Sequence, residues 1–316
     1  MSALTGTYQT YTAIGRREDL ANTIYNISPS DVPFMSMIGR SKATNTLTEW
    51  QVDTLASAAN NAQIEGNEYT FATVSPTTRL GNYTQISSKT VMISGSQEAG
   101  NNAGRDSEMA LQLAKNSKAL KRDMETALTQ NVAKAAGGAD AARTSGGLET
   151  WTSTNTSRGS GDPVGSGAGS GAAPVDAGTK RAFTETILKA VIQATYSSGG
   201  DPSVLMVGPF NKGVVSANFT GRSSARQMIG ESKIQAAADL YASDFGDLKV
   251  IPNRFQRETS AFVLDPEYWS VAYYRDFKQE DVAKTSDATK KALLVEYALV
   301  AKNEASSGIC ADLTVS

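Results

Sequence analysis

The chain has 316 residues, 40% hydrophobic and 20% charged, with a formal net charge of −2 and a pI near 5.4. That size and balance support a substantial core in one or two domains, exclude a disordered chain, and give no bulk attraction to nucleic acid. There is no histidine and one cysteine, Cys310, which removes Ser-His and Cys-His nucleophile pairs, the commonest metal ligand and any intrachain disulfide framework.

Residues 1–30 read as an extended polar arm with a short helical piece around "GRREDLANTIYNI", where Leu20, Ile24 and Ile27 keep helical spacing before Pro29 stops it. The start lacks the apolar stretch of a secretory signal, so the chain reads as intracellular when made and the sequon Asn82-Tyr83-Thr84 as an accident. Next comes an isolated apolar plug, "DVPFMSMIGR", holding Val32, Pro33, Phe34, Met35, Met37 and Ile38. Either it is a short helix under its own domain, or it docks onto something from far away, including another copy.

From Thr46 the period changes to strand alternation: Thr48, Trp50, Val52 and Thr54 face one way, Glu49, Gln51 and Asp53 the other. "YTFATV", with Tyr69, Phe71 and Thr73 on one face, and "YTQISSKTVMIS" complete a long hairpin-like excursion over 46–98. It has too few apolar residues for its own core, so something else must cover it. After the breaker "GNNAGRD", with Asp106 as cap, a helix is predicted over 106–136. Met109, Leu113, Leu120, Met124, Leu128 and Val132 form its apolar stripe; Glu108, Lys115, Lys118, Lys121, Arg122 and Glu125 fall largely off it, and Gly137 and Gly138 end it.

Residues 157–178 are Gly/Ser-rich, with linker composition, and are expected to lie as a surface loop at a subunit junction. A helix follows with Phe183, Ile187, Leu188, Val191 and Ile192 on one face, then a buried strand "SVLMVG" and a helix after Pro209. "LKVIP", "SAFVLDP", "WSVAYYRDF" and "ALLVEYALVA" read as strands, the last too charged at Glu296 to cross a membrane, before a shorter final strand. Cys310 reads as a small buried apolar residue beside Ile309. The class is α+β without a regular βαβ repeat.

No chemistry-bearing motif survives inspection. The Gly-rich stretch has no G-x-G-x-x-G and no Gly-Lys-Ser/Thr, no lysine has a serine three residues before it, and no D-x-D-x-D-G loop occurs. No catalytic residue, cofactor site or metal site is assigned. The cations of the long helix have no aromatic-basic platform beside them and read as a solvated face. A carboxylate-pair hydrolase needs no histidine and stays open as an alternative.

The ordered set "SPSDVPFMSMIGR", "TEWQVDTL", "IEG" (64–66), "SEMALQLAKNSKALKRDMETALTQN", "SGGLETW" (145–151), "VLDPEYWSVAYYRDF" and "ALLVEYALVAKNEASSGI" resembles the major capsid (major head) proteins of tailed bacteriophages with the Hong-Kong-97-type fold. The resemblance implies a structural shell protein and not an enzyme. Its parts would be an N-terminal arm (1–45), an extended loop (46–104), a spine helix and peripheral domain carrying the Gly/Ser-rich loop (105–181), an axial domain (182–270) and return strands of the peripheral domain (271–316).

It further implies self-assembly through hexamers and pentamers into an icosahedral virion capsid, formed in the host bacterial cytoplasm around double-stranded DNA that it contacts non-specifically, without a membrane. Scaffolding, portal and decoration proteins are the expected further partners, with a separate scaffold, or none, in place of a cleaved segment. Lys89 is the only lysine in 46–104, so no covalent crosslink from this loop is expected. Phe34, Met35 and Ile38 are the residues expected to dock the arm, Trp50 and Val52 to hold the loop base, and Met109, Leu113, Leu120 and Met124 to pack the spine. An encapsulin-like compartment shell is the alternative within the same fold.

Overall fold

The computed structural model describes residues 31–56, 58–68, 71, 73–74, 76–100, 104, 106–160, 164–169, 179–219 and 240–315. The arm helix expected around Leu20–Ile27 lies outside them. In chain order the elements are α1 (Pro33–Met37), β1 (Gly39–Lys42), β2 (Leu47–Val52), β3 (Thr78–Tyr83), β4 (Gln85–Ser94), α2 (Gly95–Ala99), α3 (Glu108–Thr129), α4 (Leu148–Trp151) and β5 (Asn155–Ser157). They continue with α5 (Glu185–Ser197), β6 (Val204–Val207), α6 (Pro209–Val214), β7 (Leu240–Ser243), β8 (Gly246–Pro252), β9 (Ala261–Leu264), β10 (Trp269–Val282), β11 (Ala288–Ala301) and β12 (Gly308–Cys310).

The strands form three sheets: β1-β10-β11-β4, β5-β12-β9-β6-β8-β7, and the two-stranded ribbon β2-β3. The central strands β6 and β9 of the six-stranded sheet are buried on both faces, which is why "SVLMVG" carries no polar alternation. Val204 and Met206 of β6, with Phe262 and Leu264 of β9, enter a core shared with α1, α3, α4, β10, β11 and β12. Leu205, Val207, Ala261 and Val263 point the other way, into a second core under α5 with Phe183, Leu188, Val191 and Ile192. Period-two alternation thus divides one continuous apolar run between two cores.

The hairpin expected over 46–98 is split between two sheets. β2 pairs with β3, Trp50 opposite Leu80, whereas β4 crosses to β11, with Ile93 opposite Thr289 and Gln85 opposite Tyr297. Thr84 alone separates β3 from β4. The apolar positions of β4, Val91 and Ile93, find their cover on α3, not on the ribbon, and that burial decides the partner. Tyr69 lies outside the described residues; Phe71 and residues 73–74 carry no strand.

The helix predicted over 106–136 is shorter at both ends. Ser107, not Asp106, is the cap: its Oγ accepts from Ala110 N at 3.2 Å. At the other end Gln130 is extended, and the chain turns into a small antiparallel loop in which Ala135 N donates to Thr144 O (3.0 Å), Thr144 N to Ala135 O (3.1 Å) and Gly147 N to Val132 O (2.8 Å). These pairings replace further helical bonds although the Ala and Lys residues there favour helix, so tertiary pairing overrides propensity. Val132 is therefore not on the helix stripe; it is 40% exposed, and Gly137–Gly138 is not a helix cap but part of the loop, where Gly138 N donates to Ala141 O.

The Gly/Ser-rich stretch also differs from a free linker where it is described. Ser166 N donates to Thr150 O (3.1 Å) and Lys134 N to Gly169 O (2.7 Å), which lays 164–169 along α4. Gly169 has φ +63° and passes so close to the Trp151 ring that a Cβ would fall 2.5 Å from Cε2. A side chain has no space there and the backbone conformation favours glycine. This part of the loop lies on its own chain.

Candidate assembly surfaces

The apolar plug becomes α1, a helix far too short to persist alone. Its N-terminus has no side-chain cap of its own. Glu125 of α3 supplies one from ninety residues away: Oε1 accepts from Phe34 N at 2.7 Å and Oε2 from Met35 N at 2.9 Å. Asn253, just after β8, donates from Nδ2 to the same Oε1 at 2.7 Å. The carboxylate is fully buried, and burial pushes its pKa up against the lowering pull of those three donors.

Phe34, at 0% exposure, Met35 and Ile38 then enter the main core beside Leu120, Met124, Leu128 and Trp151. The plug is thus seated in its own chain. β1 leaves it alongside β10, Gly39 opposite Ser270, with all four of its residues exposed.

The β2-β3 ribbon is rooted by a second group of buried polar side chains. Asn82 of β3 donates from Nδ2 to Leu299 O (2.7 Å) and to Ser145 Oγ (3.0 Å), while its Oδ1 accepts from Gly146 N (2.9 Å). Thr84 Oγ1 donates to Glu296 Oε1 at 2.7 Å. Glu296 also receives Arg143 Nη2 at 2.6 Å on Oε1 and Arg275 Nε at 2.8 Å on Oε2. Two guanidinium groups and a hydroxyl compensate the buried charge. Arg275 lies where the β10-β11 register shifts, and that irregularity accompanies its turn toward Glu296.

On the apolar side of the root, Trp50 packs on Trp151 with ring centroids 5.2 Å apart. Lys134 bridges them to β3: its Nζ donates to Gly81 O at 2.5 Å and stands 5.4 Å from the Trp151 centroid. Val52, at the outer end of β2, is half-buried.

Beyond this root the ribbon carries apolar side chains with no core to enter. Leu55 is 99% exposed, Phe71 94%, and Ile64 and Val74 are nearly as open. The four expected spine residues share one face of α3 (about 100° per residue) but cover two separate clusters. Met109 and Leu113 meet Val91 and Ile93 of β4, whereas Leu120 and Met124 join the main core with Phe34.

The residues that fasten the plug and the ribbon, Glu125, Asn82, Thr84 and Glu296, were not singled out by sequence reasoning. The sequon-like Asn82-Tyr83-Thr84 is in fact two buried anchors flanking one tyrosine. The available signal was a polar pair in strand alternation beside a buried-strand glutamate. Among the described residues no group of three His, Cys, Asp or Glu could hold a metal, and no helix is long and apolar enough to cross a membrane.

A family model described as the SU10 major capsid protein matches residues 3–314. The chain belongs to the SU10 major capsid protein family. The major capsid protein of Escherichia phage Phieco32 is 26% identical over 344 residues, covering 96% of each chain. A structure from Gordonia phage Cozz superimposes with a TM-score of 0.64 at 11% identity, over 99% of this chain and 98% of the other. The capsid of a native GTA particle, computed with C5 symmetry, gives a TM-score of 0.63 at 13% identity, over 99% and 100%.

This SU10-family protein therefore has the mixed helix-and-sheet, Hong-Kong-97-type fold and is a major capsid protein of a tailed phage, a self-associating structural component of the virion. Its family is not an enzyme family, and neither the encapsulin-like shell nor the carboxylate hydrolase is favoured by these relatives.

Proposed function

We propose that copies of this chain assemble through hexamers and pentamers into a closed icosahedral shell around double-stranded DNA, in the cytoplasm of the host bacterium. The observation that carries this reading is the ribbon's far end. Leu55, Ile64, Phe71 and Val74 are open to solvent on a projection whose root is locked by Asn82 and Thr84. A rigidly rooted projection with an apolar, coreless end suits insertion over an adjacent copy. A ribbon end that meets a different patch on its neighbour makes a head-to-tail contact, the kind that forms rings where the rotation closes.

In this reading residues 1–45 serve as the arm, 46–104 as the extended loop, 105–181 and 271–316 as the peripheral domain and 182–270 as the axial domain. Phe34, Met35 and Ile38 fix the arm's base so that residues before Asp31 reach a neighbour; Trp50 and Val52 hold the loop base. Scaffolding, portal and decoration proteins are the further partners of such a shell.

Negative-stain electron microscopy with light scattering on the purified chain tests the proposal. Wild type forms shells or ring-shaped capsomers. A Leu55→Ser, Ile64→Ser, Phe71→Ser variant keeps the folded subunit and loses them. Normal shells from that variant would refute the role given to the ribbon end.

A further inference from the structure

The charges on α3 are unevenly satisfied. Each of its acids is engaged: Glu125 accepts from the α1 backbone, Asp123 pairs with Lys89 at 2.6 Å, and Glu108 accepts from Gln112 Nε2 at 2.7 Å. Lys121 stands 5.9 Å from the Phe277 centroid. Lys115, Lys118 and Arg122 have no ion-pair or hydrogen-bond partner among the described residues. Lys115 and Lys118 are exposed and Arg122 half-exposed.

At about 100° per residue these three cations fall within an arc of about 60°, and they span about 10.5 Å along the axis. The opposite face of the helix is occupied by Leu120, Met124 and Leu128 in the chain's core. The result is an unneutralised cationic stripe on a rigid, 22-residue helix, in a chain whose overall charge is −2.

We infer that Lys115, Lys118 and Arg122 form a contact for the phosphate backbone of double-stranded DNA, and that this face of α3 lines the inside of the shell. Double-stranded DNA carries one charge per about 3.4 Å of axis on each strand, so the stripe spans about three phosphates. No aromatic platform or base-reading side chain accompanies the stripe, so the contact is sequence-independent. The inference rests on the shell reading above and adds its orientation. A positive stripe within an otherwise acidic chain places attraction locally and leaves the remaining surface repulsive to the same polymer.

The test uses the full chain and a 30-base-pair duplex of arbitrary sequence, with binding measured across a salt series. Three phosphate contacts correspond to a log–log salt slope of about −2.7, or about 40-fold weaker binding between about 50 and 200 mM salt. The Lys115→Gln, Lys118→Gln, Arg122→Gln variant should lose that slope, and Lys115→Arg, Lys118→Arg, Arg122→Lys should keep it. Both variants should still form shells, because none of the three side chains has a partner to lose among the described residues.

In parallel, an amine-reactive ester on a polymer too large to enter closed shells should modify Lys115 and Lys118 on subunits and spare them in shells. An unchanged salt slope in the glutamine variant would overturn the inference, as would full modification of both lysines in intact shells. Loss of binding to an acidic protein partner, with DNA binding intact, would also overturn it and assign the stripe to that partner. Should wild type form no shells, the shell reading fails, while the salt slope on subunits still decides the DNA contact.

Discussion

Phe34→Ala is the sharpest perturbation of the arm base. Phe34 is completely buried in a cluster with Leu120, Met124, Leu128, Leu148 and Trp151. Removing a buried phenyl ring costs about 3–5 kcal/mol, the lost transfer free energy plus the cavity left behind. Against a total of about 5–15 kcal/mol for a folded domain this is a large share.

The helix that carries Phe34 has five residues, so the loss falls on the docking of α1 and frees the exposed β1 that follows it. Urea unfolding of unassembled subunits should show the full decrease. Trypsin cleavage after Arg40 or Lys42 should accelerate by about 100-fold or more, since each 1.4 kcal/mol is a factor of ten. Met37→Ala, at a half-buried position at the edge of the same cluster, is the control and should cost less than about 1 kcal/mol.

Equal small losses for Phe34→Ala and Met37→Ala would refute the assignment of Phe34 to the chain's own core. A loss confined to assembled shells, with the subunit unchanged, would relocate the plug onto a neighbouring copy.

Gly169→Ala should destabilise the subunit by about 2–5 kcal/mol, combining a left-handed backbone with overpacking against Trp151, whereas Gly138→Ala, with nothing within 4 Å of the added methyl, should change little; calorimetry on both separates a packed loop from a free one. Burial raises the Glu125 carboxyl above its ordinary 4.5, so the folded chain holds that proton more tightly than the unfolded chain. This group therefore favours folding below about pH 4.5, and its contribution is lost as pH rises through the raised folded value. The stability difference between wild type and Glu125→Gln should vary across that window, and a difference constant between about pH 4 and 7 would contradict the direction. Burial pushes the Cys310 thiol up to about 12, so a maleimide should label the chain only after unfolding; rapid labelling of native subunits would show that β12 is not enclosed.

Periodicity carried much of the fold into the sequence. The strand alternation of "TEWQVDT", the stripe of the long helix and the buried run "SVLMVG" depend on local spacing, and β2, α3 and β6 follow them. The plug, too, was visible as an apolar cluster in a polar region, though not its seat. The buried anchors were invisible for a different reason. Glu125 has the local character of a surface helix residue, and only the approach of α1 and Asn253 turns it into a cap. Asn82 and Thr84 have the character of solvent-facing strand residues until β11 and the loop at 145–146 surround them.

What the sequence by itself determined is the order of parts: polar arm, apolar plug, coreless hairpin, long helix and α+β body, together with the absence of histidine chemistry. Spacing and composition are local quantities, and they suffice for that. Only the tertiary structure decided where α3 stops, that β4 leaves the ribbon for β11, that glycines 165 and 169 are packed against α4, and that three cations of α3 have no partner among the described residues. Each of these depends on competition among distant segments for the same hydrogen bonds, apolar surface and charges, and no window of neighbouring residues contains the competitors.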